Sequence, residues 1–202
     1  MTASTTPAPG LLEAKGVSMV FGGLTALDDV SMTLNEGEVI GLIGPNGAGK
    51  TTMFNCLTGL YQPTSGVIRL RGDVLPADPA GVTQKGIART FQNIRLFPSM
   101  TAQENVLVGR HVRMKQSPLS SLLHGPGFRR SEAEAANRTD ELLAFVGLTQ
   151  FSDELARNLP YGDQRRLEIA RAMGTRPQLL LLDEPAAGTN PAEKRQLVDL
   201  IR

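Results

Sequence analysis

A glycine-rich segment that ends in a lysine and a threonine, Gly44-Pro-Asn-Gly-Ala-Gly-Lys-Thr51, carries the most specific chemistry of the sequence. Its spacing, G-x-x-x-x-G-K-T, is that of the phosphate loop, in which glycines let backbone N–H groups turn inward around phosphate oxygens. Lys50 would reach the β- and γ-phosphates, and the Thr51 hydroxyl would hold Mg²⁺. The sequence predicts a nucleoside triphosphate site at Gly44, Pro45, Asn46, Gly47, Ala48, Gly49, Lys50, Thr51 and Thr52.

The segments on either side of this loop match the context that the motif requires. Residues 38–43 are apolar and β-branched, which predicts a buried strand, and residues 53–58 have helical spacing. The N-terminus of that helix adds a positive end to the phosphate cradle. The alternative is a glycine turn that merely joins a strand to a helix.

Two adjacent carboxylates, Asp183 and Glu184, follow the apolar segment 178–182, whose composition predicts a buried parallel strand. Downstream of a phosphate loop, the aspartate at such a strand end faces bound Mg²⁺, and the glutamate orients and polarises the attacking water. The alternative is an acidic turn after a buried strand.

The order of the remaining predicted elements is mixed α and β. The sequence predicts early antiparallel strands, a capping box at Thr101-Ala-Gln-Glu104, and a surface insertion over residues 111–130. Ala135, Leu142, Leu143 and Val146 lie on one predicted helix face. The predicted strands are 11–21, 30–34 and 67–71, with a turn at 35–37, and the predicted helices are 101–110, 131–146, 164–173 and 192–202.

Length predicts one ordinary domain, or one domain with a small subdomain, and residues 1–10 are expected to form a short disordered tail. The 21 basic and 20 acidic residues give no general signal for nucleic acid, and no tryptophan is present to stack on bases. The single cysteine, Cys56, excludes an intramolecular disulfide and is expected to be a small core residue. No segment approaches the roughly 20 apolar residues that span a bilayer.

Residues 158–171 come just before the strand predicted over 178–182. Their sequence, Asn-Leu-Pro-Tyr-Gly-Asp-Gln-Arg-Arg-Leu-Glu-Ile-Ala-Arg, resembles the signature loop of ABC-type ATPases. The common form is Leu-Ser-Gly-Gly-Gln, and Pro160 stands where that serine usually touches the γ-phosphate. The resemblance implies a phosphate-loop NTPase of α/β class, with a mixed or parallel core sheet, an N-terminal antiparallel β part and an α-helical signature subdomain over about 93–175. It covers residues 11–202 as one ABC ATPase domain.

The same resemblance assigns further site residues. Gln92, in Thr90-Phe-Gln92, matches the glutamine that contacts Mg²⁺ and the attacking water. Phe21 matches the aromatic that stacks on adenine, with a core phenylalanine as the alternative. The expected ligands are thus ATP and Mg²⁺, with Thr51, Gln92 and Asp183 on the metal and Lys50, Gln92 and Glu184 catalytic. Signature-loop contacts to the ATP of a partner subunit are expected from Tyr161, Gly162, Asp163 and Gln164.

Residues 86–93, 161–171 and Asp183-Glu-Pro-Ala-Ala-Gly-Thr-Asn-Pro191 are similar to the ATPase subunits of branched-chain amino acid importers. That family implies a head-to-tail dimer with a second ATPase subunit, either a copy or a paralogue. It also implies transmembrane permease subunits, an indirect solute-binding protein, no nucleic acid, and a cytoplasmic position on the inner face of the membrane.

ABC ATPases carry a switch histidine after the acidic strand, whereas His111 and His124 both precede the signature loop. The sequence is therefore expected to lack the C-terminal part of the domain. Two alternatives stay open: an ATP-binding module with little turnover, and an ABC ATPase of DNA repair or translation, which the absence of heptads and basic excess disfavours.

Overall fold

The computed structural model describes residues 10–110 and 126–201, with side chains described over 10–110 and 134–201. These residues fall into two compact units, divided between Lys85 and Gly86. The predicted tail lies outside the described residues except for Gly10, which is buried. Residues 111–125 of the predicted insertion, with His111 and His124, also lie outside them.

The first unit contains a four-stranded antiparallel sheet with the strand order β2-β1-β3-β4, which confirms the predicted antiparallel arrangement. Gly22 and Gly23, with φ of 51° and 96°, form a two-residue turn that joins the first two strands as a hairpin. This turn starts the second strand at Leu24, six residues before the predicted start at Val30. The strands are β1 (Leu12–Phe21), β2 (Leu24–Leu34), β3 (Ser65–Leu70) and β4 (Asp73–Val74).

Two helices complete the first unit, α1 (Lys50–Leu57) and α2 (Pro79–Lys85). The predicted helix after the glycine-rich loop is confirmed as α1, which buries Met53, Cys56 and Leu57. Cys56 is a free, buried thiol, as expected.

The predicted strand over residues 38–43 is wrong. These residues take no regular structure, and the side chains of Val39 and Ile43 are 77% and 93% exposed. A strand is stabilised by hydrogen bonds to a neighbouring strand, and within residues 10–110 and 126–201 no strand pairs with this segment. High β-propensity alone does not supply those partners.

The second unit contains two short parallel strands, β5 (Ile87–Arg89) and β6 (Leu179–Leu181). The parallel strand predicted over 178–182 is confirmed as β6. Its partner β5 was not predicted, because three residues are too few to show a period of two. The register pairs Ile87 with Leu179 and Arg89 with Leu181, so both strands end at the same edge.

Four helices make up most of the second unit, and all four predicted helices are present. The helix predicted over residues 131–146 begins at Pro126 in the structure. Residues 126–130 are therefore helical and not part of the predicted insertion. Proline is compatible with a first helical position because it has no N–H to lose there. The helices are α3 (Ala102–Arg110), α4 (Pro126–Phe145), α5 (Tyr161–Gly174) and α6 (Pro191–Ile201), with 3-10 turns at Thr149–Phe151 and Ala156–Asn158.

The core of the second unit lies among α3, α4 and α5. The predicted apolar face is confirmed, since Ala135, Leu142 and Leu143 of α4 and Val146 directly after it are each at most 2% exposed. At the start of α3 the predicted capping box is also present: Thr101 Oγ1 accepts the N–H of Glu104 at 3.1 Å, and Glu104 Oε2 accepts the N–H of Thr101 at 2.8 Å. The core residues are Ala102, Val106, Leu142, Leu143, Val146, Leu148, Ala156, Leu159, Leu167 and Ala170.

Burial of Cys56 makes its thiol a probe of how tightly α1 packs. The side chain is 3% exposed, and burial raises the pKa of the thiol, so little reactive thiolate is available. We expect a disulfide reagent to label Cys56 at least about 100-fold more slowly in the native protein than in guanidinium chloride, since labelling requires local opening. The Cys56→Ser variant gives the blank, and equal rates in both solvents would contradict this packing.

Candidate active site

The glycine-rich loop encloses the ammonium group of Lys50. Lys50 Nζ donates to the carbonyl oxygens of Gly44 at 2.6 Å and Pro45 at 2.8 Å. Gly49 precedes the first residue of α1 with φ of 81°, and no acidic residue lies in the first turn of the helix. The loop therefore joins a lysine ammonium to a helix N-terminus whose positive end is not neutralised within that turn, which favours an anion.

None of the predicted loop residues is fully buried. Pro45, Asn46, Gly47, Ala48 and Thr51 are exposed, while Gly44, Gly49, Lys50 and Thr52 are half-buried. The loop from Pro45 to Ala48 and Thr51 are thus accessible to a phosphate group from solvent. Phosphate binding by these residues stays a prediction, and the predicted strand before them is absent.

Phe21 ends β1 and is 40% exposed, so it is not a core side chain. Its ring meets that of Tyr61 edge to face, with centroids 5.3 Å apart. Such a half-exposed pair offers an apolar face to a planar ligand. Contact of Phe21 with adenine stays a prediction.

In the second unit, side chains from β5 and the segment after it contact both predicted carboxylates. Arg89 Nη2 lies 2.6 Å from Asp183 Oδ2, and these side chains are only 7% and 15% exposed. Gln92 Nε2 donates to Glu184 Oε2 at 2.9 Å. Parallel pairing of β5 with β6 explains this placement, because the ends of parallel strands meet at one edge of a sheet. The structure thus brings Gln92 and Glu184 together.

Glu184 has a left-handed backbone, with φ of 45°. For a residue with a side chain this conformation costs on the order of 1–3 kcal/mol, and such strain concentrates at functional sites. The Ala187 N–H donates to the Glu184 carbonyl at 3.0 Å and closes a turn. This turn fixes the direction in which the Glu184 side chain leaves the strand edge.

The predicted signature loop begins α5 at Tyr161, three residues earlier than the predicted helix start at Gln164. Asp163 Oδ1 lies 2.5 Å from Arg166 Nη2, and Gln164 Nε2 donates to the Leu159 carbonyl at 2.8 Å. Both side chains are thus bonded within the unit. No side chain caps the helix, so backbone N–H groups and the helix dipole are what it offers to an anion.

Gly162 lies against the next helix of the chain. A Cβ atom at this position would lie 2.6 Å from Glu193 Oε1, a separation that real Cβ atoms do not show. Glu193 is in turn bonded to the start of α6, since its Oε2 accepts the N–H of Asn190 at 2.8 Å. A larger residue at 162 would displace this carboxylate.

The residues of the carboxylate edge fit a magnesium ion. Mg²⁺ prefers hard oxygen ligands and usually takes one or two protein carboxylates together with phosphate oxygens and water. Asp183, whose Oδ2 contacts Arg89, would supply its Oδ1 oxygen, and Gln92, whose amide nitrogen bonds to Glu184, would supply its amide oxygen. Within the described parts of the chain no cluster of three or more His, Cys, Asp or Glu residues forms a self-sufficient metal site. This donor set suits a metal that is bound together with phosphate.

Arg89 is the residue of this edge that sequence reasoning missed. It lies three positions before Gln92, in the segment 86–93 that carried part of the family resemblance. Nothing local marks it, because its partner Asp183 is 94 positions away. Only the parallel pairing of β5 with β6 brings the two together.

Two glycines of the loop provide a matched test of its geometry. Gly47 and Gly49 have φ of 84° and 81°, but a Cβ atom would meet nothing within 4 Å at Gly47 and would lie 2.4 Å from the Ala26 carbonyl oxygen at Gly49. We expect Gly47→Ala to cost about 1–2 kcal/mol of unfolding free energy from the left-handed backbone alone. Gly49→Ala should cost clearly more, because the β2 backbone must also move. Urea unfolding measures both, and equal losses would contradict this close approach.

Comparison with known proteins identifies the family of this chain. The ABC transporter family model matches residues 27–187. The chain is 53% identical over 192 residues to the high-affinity branched-chain amino acid transport ATP-binding protein BraF of Pseudomonas aeruginosa, and 51% identical to LivG of Escherichia coli K12. Both alignments cover 95% of this chain and 75% of the relative.

Solved structures give the same result for the fold. A nucleotide-free ATP-binding cassette from an ABC transporter matches with a TM-score of 0.79 and 32% sequence identity, over 95% of this chain and 75% of that chain. The predicted α/β phosphate-loop NTPase fold, with antiparallel and parallel sheets, is thereby confirmed. The chain belongs to the ABC transporter family of ATP-binding proteins.

Proposed function

We propose that this chain is the ATP-binding and ATP-hydrolysing subunit of an importer for branched-chain amino acids. The observation that carries the hydrolytic part is the hydrogen bond between Gln92 Nε2 and Glu184 Oε2, which joins two residues 92 positions apart at the end of an apolar strand. The substrate class rests on the relatives, whose names assign them to branched-chain amino acid transport.

The loop around Lys50 binds the triphosphate in this proposal. Lys50 exchanges the Gly44 and Pro45 carbonyls for β- and γ-phosphate oxygens, and the loop N–H groups donate to the same phosphates. Thr51, Asp183 and Gln92 would hold Mg²⁺, which would offset phosphate charge when bound. Phe21 lies against the adenine.

Glu184 acts as the general base. It accepts a proton from a water molecule whose oxygen bonds to the γ-phosphorus, while the bond from that phosphorus to the β–γ bridging oxygen breaks. The products are ADP and inorganic phosphate. Gln92 orients the Glu184 carboxylate through the 2.9 Å bond that the structure contains.

A second ATPase subunit, either a copy or a paralogue, completes the site in a head-to-tail dimer. The start of α5 at Tyr161, Gly162, Asp163 and Gln164 then faces the ATP of the partner subunit, with backbone N–H groups as donors. Transmembrane permease subunits convert dimer closure into transport, and a solute-binding protein delivers the amino acid. None of the helices within residues 10–110 and 126–201 has the length and apolar character to cross a bilayer. We place the subunit on the inner face of the membrane.

Replacing Lys50 tests the phosphate site. Lys50→Ala removes the only ammonium that the loop encloses among the described residues. Because hydrogen bonds to charged groups contribute about 1.5–3 kcal/mol, ATP should bind roughly 10- to 100-fold more weakly. Fluorescence titration with a nucleotide analogue measures this. Lys15→Ala removes an exposed lysine of the same unit and should leave affinity unchanged; equal effects of both variants would exclude the proposed site.

Replacing Glu184 tests the hydrolytic role. Glu184→Gln keeps the size of the side chain but removes the base, so phosphate release should fall about 10²- to 10⁴-fold while ATP binding persists. Glu141→Gln changes an exposed glutamate of the same unit and is the control. Wild-type turnover by Glu184→Gln would refute the general-base role. ATP binding by the wild-type chain without phosphate release would favour the binding-only alternative.

A further inference from the structure

Two charged side chains lie inside the second unit on the signature helix α5. The side chains of Arg165 and Glu168 are 4% and 1% exposed, and Arg165 Nη1 lies 3.4 Å from Glu168 Oε2. Burial of a charge pair costs desolvation energy that a contact this long does not repay by itself. Further hydrogen bonds must therefore offset this cost. The phosphate-loop and carboxylate sites described above give no reason for a charge pair at this position.

Four other bonds of the pair go to the backbone of residues 91–95, the segment that carries Gln92. Glu168 Oε1 accepts the N–H groups of Phe91 and Arg95, each at 3.3 Å. Arg165 Nη1 donates to the Phe91 carbonyl at 2.8 Å, and Arg165 Nη2 donates to the Gln92 carbonyl. The pair thus fixes the backbone path of residues 91–95 from the side of α5.

Arg165 also reaches the first residue of its own helix. Its Nη2 donates to the Tyr161 hydroxyl at 3.0 Å, and that hydroxyl donates to the Ala187 carbonyl at 3.2 Å. Ala187 N–H bonds to the Glu184 carbonyl, and Gln92 bonds to the Glu184 side chain. Arg165, Tyr161, Ala187, Glu184 and Gln92 therefore form a closed series of hydrogen bonds, here called the Arg165 network.

The chemistry of the guanidinium explains why arginine occupies this position. Its two terminal nitrogens carry four N–H groups in one plane, and they serve four acceptors: two backbone carbonyls, the Tyr161 hydroxyl and the Glu168 carboxylate. A lysine ammonium carries three donors on a flexible stem and cannot reproduce this planar arrangement.

We propose that Arg165 is a positioning residue for ATP hydrolysis, which couples the placement of Gln92 against Glu184 to the start of the signature helix at Tyr161. The proposal rests on the roles proposed for Gln92 and Glu184. Because the bonds form a closed series, displacement of Tyr161 either moves Gln92 relative to Glu184 or breaks a buried hydrogen bond to Arg165. The loop that faces the partner's ATP is thereby linked to the residues that act on the subunit's own ATP.

The test compares Arg165→Lys and Tyr161→Phe with the wild-type protein. Arg165→Lys keeps the charge that Glu168 requires but loses the planar donor set, whereas Tyr161→Phe removes only a hydroxyl from a half-exposed side chain. We expect kcat to fall about 10- to 100-fold in Arg165→Lys, since small misplacement of catalytic groups has effects of that size. Tyr161→Phe should lower kcat about 3- to 10-fold. ATP affinity should stay within about twofold, because Lys50 and its loop are unchanged.

The combined effect of Arg165→Lys and Tyr161→Phe on kcat distinguishes a positioning role from simple loss of stability. Turnover rates are divided by the concentration of subunits that bind ATP, so that misfolded protein does not lower the measured kcat. The double variant should be no slower than Arg165→Lys alone, because both changes interrupt the same network. Arg138→Lys, at an exposed arginine of α4, is the matched control and should keep wild-type kcat.

Three results would overturn the proposal: an unchanged kcat in Arg165→Lys, additive losses in the double variant, or a kcat loss no larger than in Arg138→Lys. If Arg165→Lys does not fold, Tyr161→Phe decides alone, and wild-type kcat in that variant contradicts the network. Glu184→Gln is assayed in the same experiment, because it distinguishes failure of the Arg165 network proposal from failure of the proposed function. If Glu184→Gln is inactive while the Arg165 and Tyr161 variants are normal, only the coupling is wrong.

Discussion

The buried contact of Arg165 and Glu168 with the backbone of residues 91–95 is the constraint on which the candidate active site depends. A buried charge that loses its partners is costly, about 3–5 kcal/mol for a broken ion pair. The segment therefore cannot leave α5 without a large loss of stability. Gln92 is part of this segment, so the position of its side chain beside Glu184 follows from the same contact.

A second constraint comes from the parallel pairing of β5 with β6, which places basic and amide groups against the acidic strand end. Arg89 forms an ion pair with Asp183, and Gln92 donates to Glu184, so each of two adjacent carboxylates has a partner of its own. Glu184 keeps a strained backbone in the same place. Side-chain bonds to β5 and its continuation thus stabilise an arrangement that local backbone preference disfavours.

Local sequence patterns predicted those parts of the molecule that depend on neighbours in the chain. The helix after the glycine-rich loop, the Thr101–Glu104 capping box and the apolar face of α4 are of this kind, and all are present. The strand expected over residues 38–43 failed because strand formation needs a partner. Arg89, Arg165 and Glu168 escaped notice because the groups that they bind across the fold lie 73 to 94 positions away. The extent of the signature subdomain, about residues 93–175, and the individual ligand contacts stay predictions.

The most direct measurement of the central constraint is amide hydrogen exchange at Phe91 and Arg95, whose N–H groups donate to Glu168. If α5 fixes this segment, both amides should exchange as slowly as buried core amides such as that of Leu167, and Arg165→Lys should accelerate both by at least about 10-fold. The amide of Val106 in α3 should not change. Fast exchange at Phe91 and Arg95 in the wild-type protein, or rates unaffected by Arg165→Lys, would contradict the account.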